Sequence, residues 1–516
     1  MFPNCLRMWV LIVVGSALVA ACASVPADRG YHTVRQFAAE RGQSLPEQAT
    51  AGRERLALDS LSRPLSEADA VRIAFLNSPR IQSEYAQLGL TGADVIQAGR
   101  LSNPTLWAAA LGSSQSGDVT RYDLGLSQNF AQLLLLPLRA RFSRGEFERM
   151  QLDAAQALID VAAQVQLAYY DAVGAQQIAV MRQTIAADAA ASAELSARFK
   201  EAGNRTGLQL ALDRAAESEA RLQQEQAAAD AARAASRLNE LMGLKADMRW
   251  TLKEGLPMPV SQEDTLDQLQ SLAAARLDLQ SARRSAELQA DGLNVTRGYR
   301  YLGDVEIGVQ YERDTDRNRL LGPSLSLQLP FFNQGQAPVL RAQARLELAQ
   351  AHVHDKELEV SNAVKRGYDG VAAARQRIDR LRGETIPLRE VVVARMQEQV
   401  NYMLVGVFDL LRAKQDEYSA YQQYLEAVRD YWRARVELSR AIGARLPSDA
   451  SIGDSVVTPQ IPAELPADSG HSHHGTSVSP TLAPSQAVAP ANSLHHHESA
   501  PDMRPPAEHP PQGERP

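Results

Sequence analysis

Ser324-Leu325-Ser326-Leu327-Gln328-Leu329 alternates polar and apolar side chains at every step. A two-residue period is that of a β-strand with one apolar face. Working outward, the pattern recurs. Val305, Ile307, Val309 and Tyr311 alternate with Glu306, Gly308 and Gln310, and the polar run Arg313–Arg319 between these segments reads as a turn. An earlier pair has the same form: Tyr122, Leu124 and Leu126 alternate with Asp123, Gly125 and Ser127, behind the turn sequence Gly112-Ser113-Ser114-Gln115-Ser116-Gly117-Asp118. Strands are expected at about 104–112, 119–130, 303–312 and 321–332.

The two strand pairs belong to a duplication. Tyr170-Asp171 recurs as Tyr368-Asp369, Ala197-Arg198 as Ala394-Arg395, Arg214-Ala215 as Arg412-Ala413, and Gly243 as Gly443, at shifts near 198 residues. Matches in one order at a nearly constant shift indicate an internal repeat. A unit this long is a half-molecule rather than a solenoid motif.

Each strand pair precedes a long helical hairpin. Residues 139–243 contain no proline and little glycine, interrupted at Gly203-Asn204-Arg205-Thr206-Gly207. The run from Arg139 to Gly203 makes about 100 Å of helix at ~1.5 Å per residue. The second hairpin is expected over 339–444, reversing near Val400–Gly406, with Pro387 kinking its ascending arm. Tyr421, Leu425, Val428 and Trp432 are spaced 4, 3 and 4, as in a coiled-coil seam. Before the first strand, Ser66 and Asp69 make a near capping box for a helix that Asn77-Ser78-Pro79 interrupts. In the second half a helix is expected to start near Thr265.

The ends differ from the middle. Arg7, the apolar run Trp9–Ala20 and Val19-Ala20-Ala21-Cys22 form a lipoprotein signal over 1–21, with Cys22 as the lipidated residue. Residues 22–63 read as a leader of little pattern. The first repeat is placed at 64–255 and the second at 256–446. Residues 447–516 form a Pro/His-rich tail of disordered composition, since twelve of the chain's 26 prolines fall in 451–516. Cys5 and Cys22 are the only cysteines and the first leaves with the signal, so the mature chain has no internal disulfide. A formal charge of −7 leaves no basic footprint for nucleic acid. No motif for nucleophilic, phosphate-loop or dinucleotide chemistry stands in a suitable context, and the chain is expected not to be an enzyme.

Strands of about ten residues can cross an outer membrane or build a small soluble sheet. Four strands cannot close a barrel, and an open edge cannot face lipid. The strands are therefore either in water or pooled between copies. Here the residues resemble TolC-like outer-membrane efflux proteins. The resemblance rests on Leu65-Ser66-Glu67-Ala68 through Asn77-Ser78-Pro79, on Asn103-Pro104, on Gly322-Pro323-Ser324 through Phe331-Phe332-Asn333-Gln334-Gly335, and on Phe408-Asp409-Leu410-Leu411-Arg412-Ala413. It covers about 60–445. It implies a mainly α fold with a small β part. Duplicated helical hairpins would form a periplasmic tunnel, and four strands per chain would enter a homotrimeric twelve-stranded barrel in outer-membrane lipid. It also implies a periplasmic adaptor and an inner-membrane pump as partners, and a lipid-anchored place in the outer membrane of a Gram-negative bacterium.

By that resemblance Asp409 takes a gate position of the closed periplasmic aperture, and Arg412 stands where some relatives carry a second acid. A carboxylate ring beside a guanidinium ring favours ion pairs over an anionic constriction. The same residues also read as a solvated helix face. Gly203, Gly207 and Gly406 are the candidates for turn geometry and adaptor contact at the hairpin tips. Seven of ten histidines lie in the tail: His471, His473, His474, His495, His496, His497 and His509. No cofactor is required, but clustered imidazoles bind Cu(II), Zn(II) or Ni(II), which points to heavy-metal export. A His-rich spacer would have the same composition. Export of drugs or other small organic molecules is the alternative cargo. A pore-free adaptor or metal-scavenging lipoprotein is the alternative class.

Overall fold

The computed structural model of the chain describes residues 26, 28–44, 61–112, 120–314, 318–453 and 455–457. The protein is mainly helical with one small sheet. In order, it comprises α1 (Tyr31–Glu40), α2 (Glu67–Asn77), α3 (Pro79–Ala98), β1 (Thr105–Leu111), β2 (Arg121–Asn129), α4 (Phe130–Glu201), α5 (Gly207–Leu241), α6 (Leu266–Ala273), α7 (Leu277–Gly298), β3 (Val305–Arg313), β4 (Arg319–Leu327), α8 (Gln336–Arg380), α9 (Ile386–Asn401) and α10 (Val407–Ile442).

Ser66 caps α2, accepting from the Asp69 N–H at 3.2 Å, and Pro79 opens α3. The chain runs from β2 into α4 without a loop, because Asn129 ends the strand and caps the helix, accepting from the Gln132 N–H at 2.9 Å. The helix thus starts at Phe130 rather than at the expected 139 and keeps Pro137 inside. With 72 residues α4 is about 110 Å long. No helix among the described residues is long and apolar enough to cross a membrane. Thr265 caps α6, its N–H donating to Gln268 Oε1 at 3.2 Å.

The core runs along α4. It packs against α3 and α7 towards the sheet, and against α5 and α10 towards the hairpin tips, while α8 and α9 lie against α10. Tyr421, Leu425, Val428 and Trp432 are all buried, and Trp432 stacks on Tyr170 with ring centroids 5.4 Å apart. The outer helices keep apolar rows in the open: Leu208, Leu212 and Leu222 on α5, and Leu340, Leu348 and Leu358 on α8.

Three expectations are corrected, and the expectation at Pro387 gains a structural detail. The leader contains α1, which docks on α4 through the fully buried Val34 and Ala38. Its start lacks a side-chain cap; instead Gly30 turns left-handed, and Asp28 accepts from the Gly30 and His32 N–H groups. The last strand ends at Leu327, because Pro330 cannot continue a ladder. Near Pro387 the helix absorbs the missing N–H in a π-turn at Leu381–Thr385. Finally, the turns at 202–206 and 402–406 share one local conformation at a shift of 200. Arg214-Ala215 and Arg412-Ala413, which need 198, therefore do not occupy equivalent places.

Candidate functional site

The four strands form a single antiparallel sheet in the order β1-β2-β3-β4. The two halves of the duplication meet at β2–β3, where Leu124 faces Tyr311 and Leu126 faces Val309. Strand alternation and register sort the side chains. One face carries Leu106, Leu124, Leu126, Ile307, Val309, Leu321 and Leu325 in cross-strand rows. Each of these is between 42% and 74% exposed. The other face carries Arg121, Asp123, Glu306, Gln310, Glu312, Ser324 and Ser326, with Arg121 Nη2 2.7 Å from Glu312 Oε1. On this face Trp107 lies over Gly125, where a Cβ would overlap the indole.

Among the described residues neither β1 nor β4 has a second neighbour, so one chain leaves two bare edges on a sheet with an open apolar face. In water such an edge invites pairing, and in lipid its unpaired groups cost several kcal/mol each. Pro323 sits in β4, where an edge strand tolerates it. Exposed aromatics flank the apolar rows at the helix end, with Phe130, Tyr301, Phe331 and Phe332, and Tyr122 stands at the turn end. An apolar band between aromatic girdles is the pattern of a transmembrane strand.

The hairpin tips lie at the other end of the long helices. At the first, Gly203 is left-handed at φ 79°, and the Asn204 N–H donates to Phe199 O at 2.8 Å. Thr206 and Gln209 cap α5 reciprocally, at 2.8 and 3.2 Å. Gly207 is simply the first residue of that helix and is surrounded by open space. At the second tip Met403 holds the left-handed position at φ 58°, a conformation that costs a non-glycine residue about 1–2 kcal/mol. Tyr402, Met403 and Leu404 are 77%, 93% and 72% exposed. Gly406 is extended and caps α10, its N–H donating to Asp409 Oδ2 at 3.3 Å. Asp409 therefore serves its own helix start. Arg412 is exposed and makes no ion pair among the described residues, so within one chain the two expected gate residues do not meet.

Sequence reading missed two buried polar networks. Under the first tip, Arg205 donates to Ser196 Oγ at 2.8 Å and pairs with Asp213, which is 2% exposed. Near the junction of the repeats, Arg435 is also 2% exposed. It pairs with Glu263, donates to Asp449 at 2.6 Å and to Ser448 at 2.9 Å, and lies over Trp432. A lone arginine or aspartate within a helical pattern carries no signal of burial, so only the partners reveal these locks. Between α4, α5 and α10 a groove of about 970 Å³ is lined by Asp171, Arg182, Gln223, Arg233, Gln422 and Arg429, among others. Burial raises the Asp171 carboxyl above its ordinary range, against the opposing pull of Arg433 and Arg429. Burial pushes the Tyr418 hydroxyl up to about 12, helped by the charge of Asp188.

Residues 262–444, the second repeat, match the profile of the outer membrane efflux protein family. The chain is 24% identical over 388 residues to the CyaE protein of Bordetella pertussis, across 70% of this chain and 80% of the relative. Among solved structures it resembles CusC, whose crystal structures concern transmembrane channel formation. The TM-score is 0.57 at 14% identity, over 77% of this chain and 93% of the other. It also resembles VceC, an outer membrane protein of Vibrio cholerae, with a TM-score of 0.60 at 14% identity, over 73% and 96%. Residues 262–444 belong to the outer membrane efflux protein family, and the chain shares the fold of these outer-membrane proteins.

Several expected features of the chain lie outside the described residues: the signal segment with Cys22, and the tail histidines His471, His473, His474, His495, His496, His497 and His509. His352 and His354, on α8, are both exposed.

Proposed function

We propose that the chain is one subunit of a homotrimeric channel. Three copies pool their strands into a twelve-stranded barrel in the outer membrane and their hairpins into a periplasmic tunnel. One observation carries this reading: a four-stranded sheet that, among the described residues, has two bare edges and an exposed apolar face. Joining β4 of one copy to β1 of the next removes every edge and turns the apolar rows to lipid and the polar rows to the bore. The exposed leucines of α5 and α8 would be covered by the same assembly. The tips would meet a periplasmic adaptor, which receives cargo from an inner-membrane pump, and Cys22 would anchor the leader in lipid. Nothing in this scheme calls for catalysis.

For cargo we favour heavy-metal ions, on the strength of the seven tail histidines. Clustered neutral imidazoles would hold Cu(II), Zn(II) or Ni(II) transiently without a resident cofactor. Two experiments test these statements. Detergent-extracted protein should sediment as a trimer and conduct in a planar bilayer; a folded, non-conducting monomer would favour the adaptor or scavenger reading. Deleting 451–516 should lower tolerance to copper, zinc or nickel. Unchanged tolerance would shift the cargo to small organic molecules.

A further inference from the structure

The turn end of the sheet carries a feature that the channel reading leaves unused. Arg313 faces Arg319 directly across β3–β4, and Tyr122 faces Arg313 across β2–β3. By strand alternation all three stand on the apolar face, in the last row beyond Tyr311 and Leu321. Like charges directly opposite each other destabilise a strand pair. Neither arginine forms an ion pair among the described residues, and Arg313 Nε is buried without a hydrogen-bond partner. The nearest strand carboxylates, Asp123 and Glu312, point to the other face, where both engage Arg121. At the helix end of the sheet the arrangement differs: Arg300 lies over the Tyr301 ring, 4.4 Å from its centroid.

We propose that Tyr122, Arg313 and Arg319 form a docking site for the phosphate-bearing headgroup of an outer-leaflet lipid. The site rests on the barrel reading, which puts the apolar face in lipid and the turn end away from the periplasm. Charge complementarity selects the occupant. Two guanidiniums at the top of an apolar band need an anion at headgroup height, and guanidinium forks match phosphate oxygens. The acyl chains of the same lipid would lie along Tyr311, Leu321, Leu124 and Val309, and Tyr122 would sit at the interface as belt aromatics do. A free phosphate ion would gain the charges but not the apolar rows.

The test is titration of fluorescent diphosphoryl lipid A into the full-length, detergent-solubilised channel. Saturable binding is expected for the native protein, and roughly thirtyfold weaker binding for R313Q/R319Q, at about a five- to sixfold loss per arginine. R313K/R319K, which keeps the charges but loses the forks, should bind with an affinity between those of the native protein and R313Q/R319Q. Lipid A stripped of its phosphates should bind the native protein as weakly as diphosphoryl lipid A binds R313Q/R319Q. Planar-bilayer conductance should be the same for both proteins. Equal lipid A affinity in conducting native and R313Q/R319Q channels overturns the docking site and leaves the channel standing. Full competition by inorganic phosphate also overturns it, in favour of a free-anion site. A native protein that never conducts removes the barrel and the lipid site together.

Discussion

At the first hairpin tip Arg205 reaches back to Ser196 and Asp213, and at the second the equivalent positions hold Val405, Met396 and Ala413. The backbone conformation is the same, but one turn rests on a buried charge pair and the other on the small apolar cluster of Val393, Leu410 and Ala413 with Met396 and Val400. The caps differ similarly. The first tip has a left-handed glycine and a reciprocal Thr206–Gln209 box, the second a left-handed methionine and a glycine cap with Asp409. A duplicated turn therefore needs only its geometry kept. The outward-facing residues then diverged, polar Asn204 at one tip and apolar Leu404 at the other, so a partner meeting both would meet two different chemistries.

The sharpest way to break this comparison is Asp213→Ala, which strands Arg205 in a buried site and should cost about 3–5 kcal/mol of local stability. Hydrogen exchange at 196–213 would show it. Ser196→Met, Arg205→Val and Asp213→Ala together give the first tip the residues of the second and should cost much less than the single change; an equal cost would mean that the pair is not what differs. Leu410→Ala, in the apolar tip, should cost about 2–4 kcal/mol through the cavity it leaves, read by exchange at 393–413.

The feet of the hairpins allow a test by pH. Arg276 donates to Arg440 O at 3.2 Å, capping the end of α10, and is oriented by two bonds to Asp278, at 2.9 and 2.7 Å. Burial opposes ionisation of Asp278, but the hydrogen bonds and charge of Arg276, with Lys356, hold its carboxyl below the ordinary range. With the folded pKa depressed, the stabilisation is complete above the ordinary carboxylate range and is lost as pH falls through the folded value. Asp278→Asn should cost about 1–3 kcal/mol at neutral pH, and the difference should vanish in strong acid. Denaturant midpoints across pH would check it. The smallest effect is expected from Met403→Gly, which relieves a left-handed methionine and should stabilise the second tip by up to about 1 kcal/mol, with no matching gain available at Gly203.

Much of this was legible because periodicity reports on local structure. The alternation at 305–311 and 324–327 gave strands, and the 4-3-4 spacing at 421–432 gave a buried seam. α1 was missed because its ten residues carry no side-chain cap, and the start of α4 was placed late because Pro137 looked like a boundary. Asp409 and Arg412 became gate candidates through the family resemblance, and a matched position cannot say whether either side chain has a partner elsewhere.

By itself the sequence determined the period of each element, the duplication, and the strand faces, since these depend on neighbours one to four residues apart. Only the tertiary structure decided that the two repeats share one sheet through β2–β3, that the tips align at 200 rather than 198, and that Arg435 is locked to the distant carboxylate of Glu263. Those outcomes depend on which surfaces meet across a hundred residues or more, and on how the two copies align at their turns. No local spacing encodes either.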